Sequence, residues 1–167
     1  QNELPRVQVE WKEAKLIEKT LSLNGETAAQ RMVQVRSESS GRIIKIYKNK
    51  GDQVSTGDVL VEVDPGDLRA RIKSAKAQQE QRRLELEGTK RLVNQGLQNT
   101  TQLAGAEALY EAAKAQTVGL ELQLKHTVIR APFSGYLNDR PVELGSYIGP
   151  GDQVAEILDF EPMIVRA

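Results

Sequence analysis

The chain has 167 residues, with 23 acidic and 23 basic side chains and a formal net charge of zero. That balance argues against a dedicated nucleic-acid binder, which carries a basic excess, and the lack of any cysteine excludes disulfides, thiolate metal sites and cysteine nucleophiles. Aromatic residues make up 4% and apolar residues 39%, so a core must be built from Val, Ile, Leu and Ala, and an elongated molecule fits better than a compact globule.

No run of 18 apolar residues occurs, so no segment reads as a membrane-spanning helix, and the first residues show no basic-then-apolar signal pattern. The chain is expected to be a piece of a longer protein, with targeting and C-terminal parts lying outside it. Taken from the start, Val7-Gln8-Val9-Glu10 and Leu21-Ser22-Leu23 alternate as strands. Arg42-Ile43-Ile44-Lys45-Ile46 and Asp58-Val59-Leu60-Val61-Glu62-Val63 follow as β-branched runs bounded by turn signals at Gly51-Asp52 and Gly57-Asp58.

Asp64-Pro65-Gly66-Asp67 reads as a helix start with Asp67 as N-cap. From Gly66 to His126 there is no proline, and Ala, Leu, Glu, Gln, Lys and Arg dominate, all good helix formers. Leu68, Ile72, Ala75, Gln79, Leu86 and Val93 share a stripe that Gln79 and Arg82 are read as interrupting. Asn94-Gln95-Gly96-Leu97-Gln98-Asn99-Thr100 reads as a turn, with Thr100 or Thr101 as the next cap. Leu103, Ala106, Tyr110, Ala113, Thr117, Leu120 and Leu124 then step three and four alternately, the spacing of a coiled-coil seam. Each arm has about 26–30 residues, so the pair should project about 40–45 Å. Its outer faces are expected to meet partner helices, because two helices bury little between them. Leu92, Val93 and Leu97 among Asn and Gln form a small apolar tip suited to helix-end packing.

The final third repeats the first. Gly41, Gly51 and Gly57 reappear as Gly135, Gly145 and Gly151, an offset of 135 − 41 = 94. Arg36 matches Arg130, Ser40 matches Ser134, Asp58 matches Asp152 and Glu62 matches Glu156, and the apolar positions Val35, Ile43, Val54, Leu60 and Val63 meet Ile129, Leu137, Ile148, Val154 and Ile157. One copy of about thirty residues cannot bury both faces of its strands. Two copies packed face to face can, giving a β-sandwich split by an antiparallel helical hairpin. Met163-Ile164-Val165-Arg166 reads as a closing strand. The predicted organisation is α+β: 1–31 with 159–167 as part of a flanking β-barrel domain, 32–65 with 127–158 as the sandwich, and 66–126 as the hairpin.

The nested order, with Ser40-Gly41-Arg42-Ile43, Gly51-Asp52-Gln53-Val54, Gly57-Asp58-Val59-Leu60 and Arg130-Ala131-Pro132-Phe133-Ser134-Gly135, resembles the periplasmic adaptor proteins, or membrane fusion proteins, of resistance-nodulation-division efflux pumps. The halves themselves resemble the lipoyl or biotinyl carrier fold, a barrel-sandwich hybrid. The resemblance covers essentially the whole chain. It implies a non-enzymatic periplasmic linker between an inner-membrane transporter and an outer-membrane channel, held to the inner membrane by an N-terminal anchor. It also implies self-association into a ring, a hexamer or trimer of dimers. The β domains would dock the transporter and the hairpin tip the duct. An adaptor of an ATP-driven export system is the alternative.

In that family an Arg-x3-Leu-x6-Ser pattern at the tip contacts the duct. Here Gly88 falls at the Arg position, Leu92 at the Leu position and Asn99 at the Ser position, with Lys90 and Arg91 nearby to supply charge. The expected partner-binding tip is therefore Lys90, Arg91, Leu92, Gln95, Leu97, Asn99 and Thr100.

Rival readings are weaker. A lipoyl or biotinyl carrier needs a lysine between its halves, where Asp64-Pro65-Gly66-Asp67 stands, so no cofactor is expected. His126, the single histidine, sits at a helix end, where it favours the helix C-terminus more readily than acting as a base. Glu85 and Glu87 face different directions, the repeated Glu62 and Glu156 read as structural, and Gly51-x5-Gly57 lacks the Lys-Ser or Lys-Thr of a phosphate loop. Met32 and Met163 are too few and too far apart for a soft metal site.

Overall fold

The computed structural model describes residues 7–13, 26–160 and 164–166. In chain order the elements are β1 (Glu26–Ala28), β2 (Arg31–Arg36), β3 (Gly41–Ile46), β4 (Gln53–Val54), β5 (Val59–Val63), α1 (Leu68–Asn94), α2 (Thr100–His126), β6 (Val128–Arg130), β7 (Gly135–Asp139), β8 (Tyr147–Ile148), β9 (Gln153–Asp159) and β10 (Ile164–Arg166). Two four-stranded sheets run β2-β9-β7-β4 and β6-β5-β3-β8, and β1 pairs with β10 as a separate two-stranded ribbon.

Advancing by 94 residues turns β2, β3, β4 and β5 into β6, β7, β8 and β9, and turns the first sheet's order into the second's. The repeat is therefore a pseudo-twofold axis through the sandwich. The halves do not lie one per sheet, as face-to-face packing of two copies implied. Each sheet takes two neighbouring strands from one half and both outer strands from the other. Exchanging outer strands gives backbone groups at each half's edges a ladder partner that a self-contained half would leave open.

The axis extends to single hydrogen bonds between the halves. Gly51 N–H donates to the Leu137 carbonyl and Gly145 N–H to that of Ile43. Gly57 N–H donates to Ala131 and Gly151 N–H to Ser37, all four at 2.8 Å. The Arg36 guanidinium donates to the Gly151 carbonyl at 2.7 Å, and its copy Arg130 donates to that of Gly57 at 2.9 Å. These glycines have φ between 87° and 92°, a conformation other residues adopt only with strain. Three of the four turns are closed by an aspartate accepting a backbone N–H: Asp52 from Asn49, Asp58 from Ser55 and Asp152 from Gly149. In the fourth, the Ser146 hydroxyl accepts from Glu143.

The core is doubled in the same way. Ile43, Val54, Leu60 and Val63 with their copies Leu137, Ile148, Val154 and Ile157 are buried between the sheets, each side chain contributing about 1.5–3 kcal/mol in transfer free energy. Gly41 and Gly135 mark where β3 and β7 pass close over the ends of β5 and β9. A Cβ on Gly135 would run into the Leu158 carbonyl oxygen, and one on Gly41 would lie 2.6 Å from Val63 Cγ1.

The helices form an antiparallel pair. Lys76 meets Glu121 at 2.7 Å and Lys90 meets Glu107 at 3.4 Å, so the pairing climbs 90 − 76 = 14 residues on α1 while descending 121 − 107 = 14 on α2. Each helix has 27 residues, about 40 Å at 1.5 Å per residue. On α2 the seven expected seam positions from Leu103 to Leu124 are buried or half-buried, and every other residue between 101 and 125 is exposed. On α1 Gln79 and Arg82 do not interrupt the stripe. They lie in it half-buried, the Arg82 stem covering the seam while its guanidinium reaches Glu85 at 2.7 Å.

The expected N-cap position of α1 stands, and that of α2 needs correction. Asp67 stands at the N-cap of α1 but its side chain makes no cap bond; instead Asp64 accepts the Gly66 N–H at 2.9 Å, tightening the preceding turn. Asn99, not Thr100 or Thr101, caps α2. Val7–Glu10 carry no ladder, and Val7 and Val9 are exposed; among the described residues none runs beside them to make a strand of them. Leu21-Ser22-Leu23 and Met163 lie outside the described residues.

Gly135→Ala is expected to cost roughly 1–3 kcal/mol, because the contact is with backbone. Gly119→Ala, in an open helical position, should gain roughly 0.5–1 kcal/mol. Urea denaturation of the two variants checks both signs. The Asp58 carboxyl is held below the ordinary carboxylate range, first by the Ser55 N–H and then by the Lys48 ammonium at 3.0 Å. Its stabilising contribution is complete above the unfolded-state value and is lost as pH falls through the lower folded value. Asp58→Asn should therefore flatten the fall of Tm below about pH 4.

Candidate functional site: the hairpin tip and the outer helix faces

The turn between the helices is built by backbone geometry. At the end of α1, the Leu97 N–H donates to the Leu92 carbonyl and the Gly96 N–H to that of Val93, both at 2.9 Å. This is the six-to-one and five-to-two pattern of a Schellman stop, with Gly96 at φ 75° as the left-handed residue. Two residues later Asn99 starts α2 through a reciprocal capping box: its Oδ1 accepts the Gln102 N–H at 2.9 Å, while its own N–H donates to Gln102 Oε1 at 3.2 Å. The reversal is thus closed on both sides, and Leu97 is held at its apex with 69% of its surface exposed.

The expected tip residues divide by what they touch. Leu92, Gln95 and Leu97 are exposed at the turn, and Thr100 is the first residue of α2. Asn99 is also at the turn, but its amide oxygen is engaged as the cap. Lys90 points across to Glu107, so its charge is countered. The Arg91 Nε donates to the Glu87 carbonyl at 3.4 Å in the last turn of α1, where a cation favours the helix C-terminus.

The outer faces of the two helices differ, a contrast not drawn out by seam periodicity. On α1, which leaves Leu84 exposed, the charges pair within the helix: Arg83 bridges Glu80 and Glu87, and Arg82 joins Glu85. Arg83 holds the Glu80 carboxyl below its ordinary range. Arg82, with help from Gln81, does the same for Glu85. On α2 the exposed residues include Leu109, Val118 and Leu122, each at least half exposed, with Ala104, Ala108, Ala112 and Ala115 also open to solvent. The signal was present in the composition of α2, which carries four alanines outside its seam against two on α1. Among the described residues no group of three or more His, Cys, Asp or Glu side chains is placed to hold a metal.

Residues 31–160 match the family model for the barrel-sandwich hybrid domain of RND membrane fusion proteins. The multidrug resistance protein MexA of Pseudomonas aeruginosa is 28% identical over 163 residues, covering 96% of this chain and 43% of that protein. The efflux pump periplasmic linker BepD of Brucella suis is 34% identical over 155 residues, covering 83% of this chain and 39% of that one. A solved MacA–MexA chimera containing the P. aeruginosa MexA α-hairpin domain superposes with a TM-score of 0.80 at 28% identity, covering 84% of this chain and 52% of the chimera. The chain spans about two fifths of the length of the curated relatives it matches.

Asn99→Ala is expected to destabilise the hairpin by about 1 kcal/mol and to speed amide exchange in the first turn of α2. Asn99→Asp should keep the cap. Hydrogen exchange resolved by residue distinguishes them.

Proposed function

Because the chain belongs to the RND membrane fusion protein family, we propose that it works in the periplasm as the adaptor between an inner-membrane efflux transporter and an outer-membrane channel. The observation that carries this reading is the tip: an exposed leucine fixed by a Schellman stop and a capping box at the end of two helices about 40 Å long. A long arm ending in a rigid apolar apex is suited to reaching and packing between helix ends of another protein. Leu92, Gln95 and Leu97 make the contact, with Lys90, Arg91, Asn99 and Thr100 as its polar surround. The role is one of linkage, in keeping with a family that is non-enzymatic in general.

The hairpin, 66–126, packs as a two-stranded coiled coil, and its seam spacing supports that. The sandwich, 32–65 with 127–158, couples it to a flanking β-barrel domain to which β1 and β10 contribute. That domain docks the transporter, and an anchor N-terminal to it holds the adaptor at the inner membrane. Several copies form a ring, a hexamer or trimer of dimers. The apolar outer stripe of α2 supports this, since Val118 and Leu122, one turn apart, are left exposed on the side away from α1 together with Ala104, Ala108 and Ala115.

Leu97→Asp in the full-length protein should reduce drug tolerance towards that of a deletion strain, in cells lacking other pumps, with Tm unchanged because Leu97 packs against little of its own chain. Unchanged tolerance would count against the tip contact. Disulfide formation in cells separates the ring surface from the charged face: Leu122→Cys should yield crosslinked copies where Lys73→Cys does not.

A further inference from the structure

The pseudo-twofold axis relates the sandwich's exit to the hairpin to its exit to the flank, and the two exits are lined differently. Across the outer face of the first sheet, Met32 pairs with Leu158, Leu158 with Tyr136 and Tyr136 with Gln53, one residue from each strand. Met32 is 61% exposed and Tyr136 43%. The next outward row, Gln34, Glu156 and Asn138, is polar and bonded within the sheet: the Asn138 amide donates to Glu156 at 2.6 Å and Arg36 donates to Gln34 at 2.9 Å. The offset of 94 turns Met32, Leu158 and Tyr136 into His126, Asp64 and Arg42, which are all ionisable and line the open cleft at the hairpin root. The apolar row is therefore not a requirement of the sandwich, whose second sheet does without it.

Aromatic residues gather at the same exit. The chain's two phenylalanines are Phe133 and Phe160. Phe133 lies under the Arg31 guanidinium at 4.8 Å, where β2 begins. Phe160, the first residue beyond β9, leans on Tyr136 with ring centroids 6.1 Å apart. The link to the flank thus starts by lying on the row. The ribbon of β1 and β10 does not prolong the sheet in register. Between the pairs Ala28–Ile164 and Arg31–Asp159 stand 31 − 28 − 1 = 2 residues on one strand and 164 − 159 − 1 = 4 on the other, and an excess on one strand turns a ribbon out of line. A body tethered this close to an apolar patch meets it at a far higher effective concentration than a free partner does.

We propose that this row, with Phe160 at its edge, seats the flanking β domain of the same polypeptide, the part of it beyond the β1–β10 ribbon. The inference rests on the flanking domain of the function proposed above, and not on what the adaptor joins. The occupant presents an apolar surface, since Met32, Leu158 and Tyr136 stand together with no charged side chain among them. Seated there, flank and sandwich turn as one body. The hairpin root has no such seat: its equivalent positions are His126, Asp64 and Arg42, beside a cleft of about 690 Å³. Relative movement between modules therefore falls at the hairpin root rather than at the flank.

The chain contains no cysteine, so an introduced thiol reports the cover over one residue. Met32→Cys and Gln34→Cys, two outward positions on β2, are made in the full-length protein, purified without transporter or channel. Modification by iodoacetamide is followed at the residue by peptide mass spectrometry, each rate divided by that of the same variant unfolded in urea. On this scale Met32→Cys should react roughly tenfold or more slowly than Gln34→Cys, at every protein concentration. Adding Tyr136→Asp, which puts a charge at the middle of the row, should return Met32→Cys to the rate of Gln34→Cys. Equal rates for the two single variants overturn the proposal. So does protection that fades on dilution, which marks a second copy as the cover, and so does protection that survives Tyr136→Asp.

Discussion

Closure of the sandwich is the constraint from which the rest of the molecule follows. Neither half can complete a sheet alone, because each sheet takes its outer strands from the other half. The chain must therefore return to within a hydrogen bond of where it left, after about sixty residues. Two helices of equal length, antiparallel and joined by a tight reversal, meet that requirement with nearly all their backbone groups bonded internally. With both of its ends held at one place, the insertion's length becomes the length of the hairpin.

Stability is distributed unequally as a result. The sandwich has a continuous core of Val, Ile, Leu and Ala with thirteen buried members. The hairpin's buried cluster is Ile72, Ala75 and Leu120, backed by Leu68 and Leu124, and all of it lies at the root. Beyond that, the seam keeps buried Leu86 and Ala113 and half-buried Val93, Leu103, Ala106 and Tyr110, mixed with polar Gln79, Arg82, Thr89 and Thr117, and is joined by cross-helix ion pairs and the closures at the tip. Exposed ion pairs contribute little each, so the outer half of the arm relies on that mixed seam and on its caps.

Much of this was legible in the sequence, and the parts that were not share a cause. The offset of 94 exposed the two halves, and the three-and-four spacing from Leu103 to Leu124 exposed the seam of α2, because periodicity survives without knowledge of partners. Strand exchange between the halves was hidden, since the repeat says which residues are equivalent and not which strands are neighbours. The cap falls on Asn99, one or two residues before the expected Thr100 or Thr101, because all three are good caps and only the reciprocal bond with Gln102 decides among them. Arg82 looks like a break in the sequence because its charge masks a long apolar stem. At the tip, composition identified Leu92 and Leu97, but that Lys90 faces Glu107 depends on the register of the two helices.

The pseudo-twofold axis also has a mechanical meaning. The hairpin leaves the sandwich after β5 and the chain leaves for the flank after β9, and these strands are copies of each other. Each lies in the interior of its sheet, bonded to β6 and β3 in one case and to β2 and β7 in the other. A pull on the arm enters along interior β5 and the outer strand β6 laddered to it, and exits along interior β9 and the outer strand β2 laddered to that. At each end the outer strand is loaded together with an interior one that is bonded on both sides. The sandwich is built as a coupling that transmits tension between its two ends while its own halves stay closed.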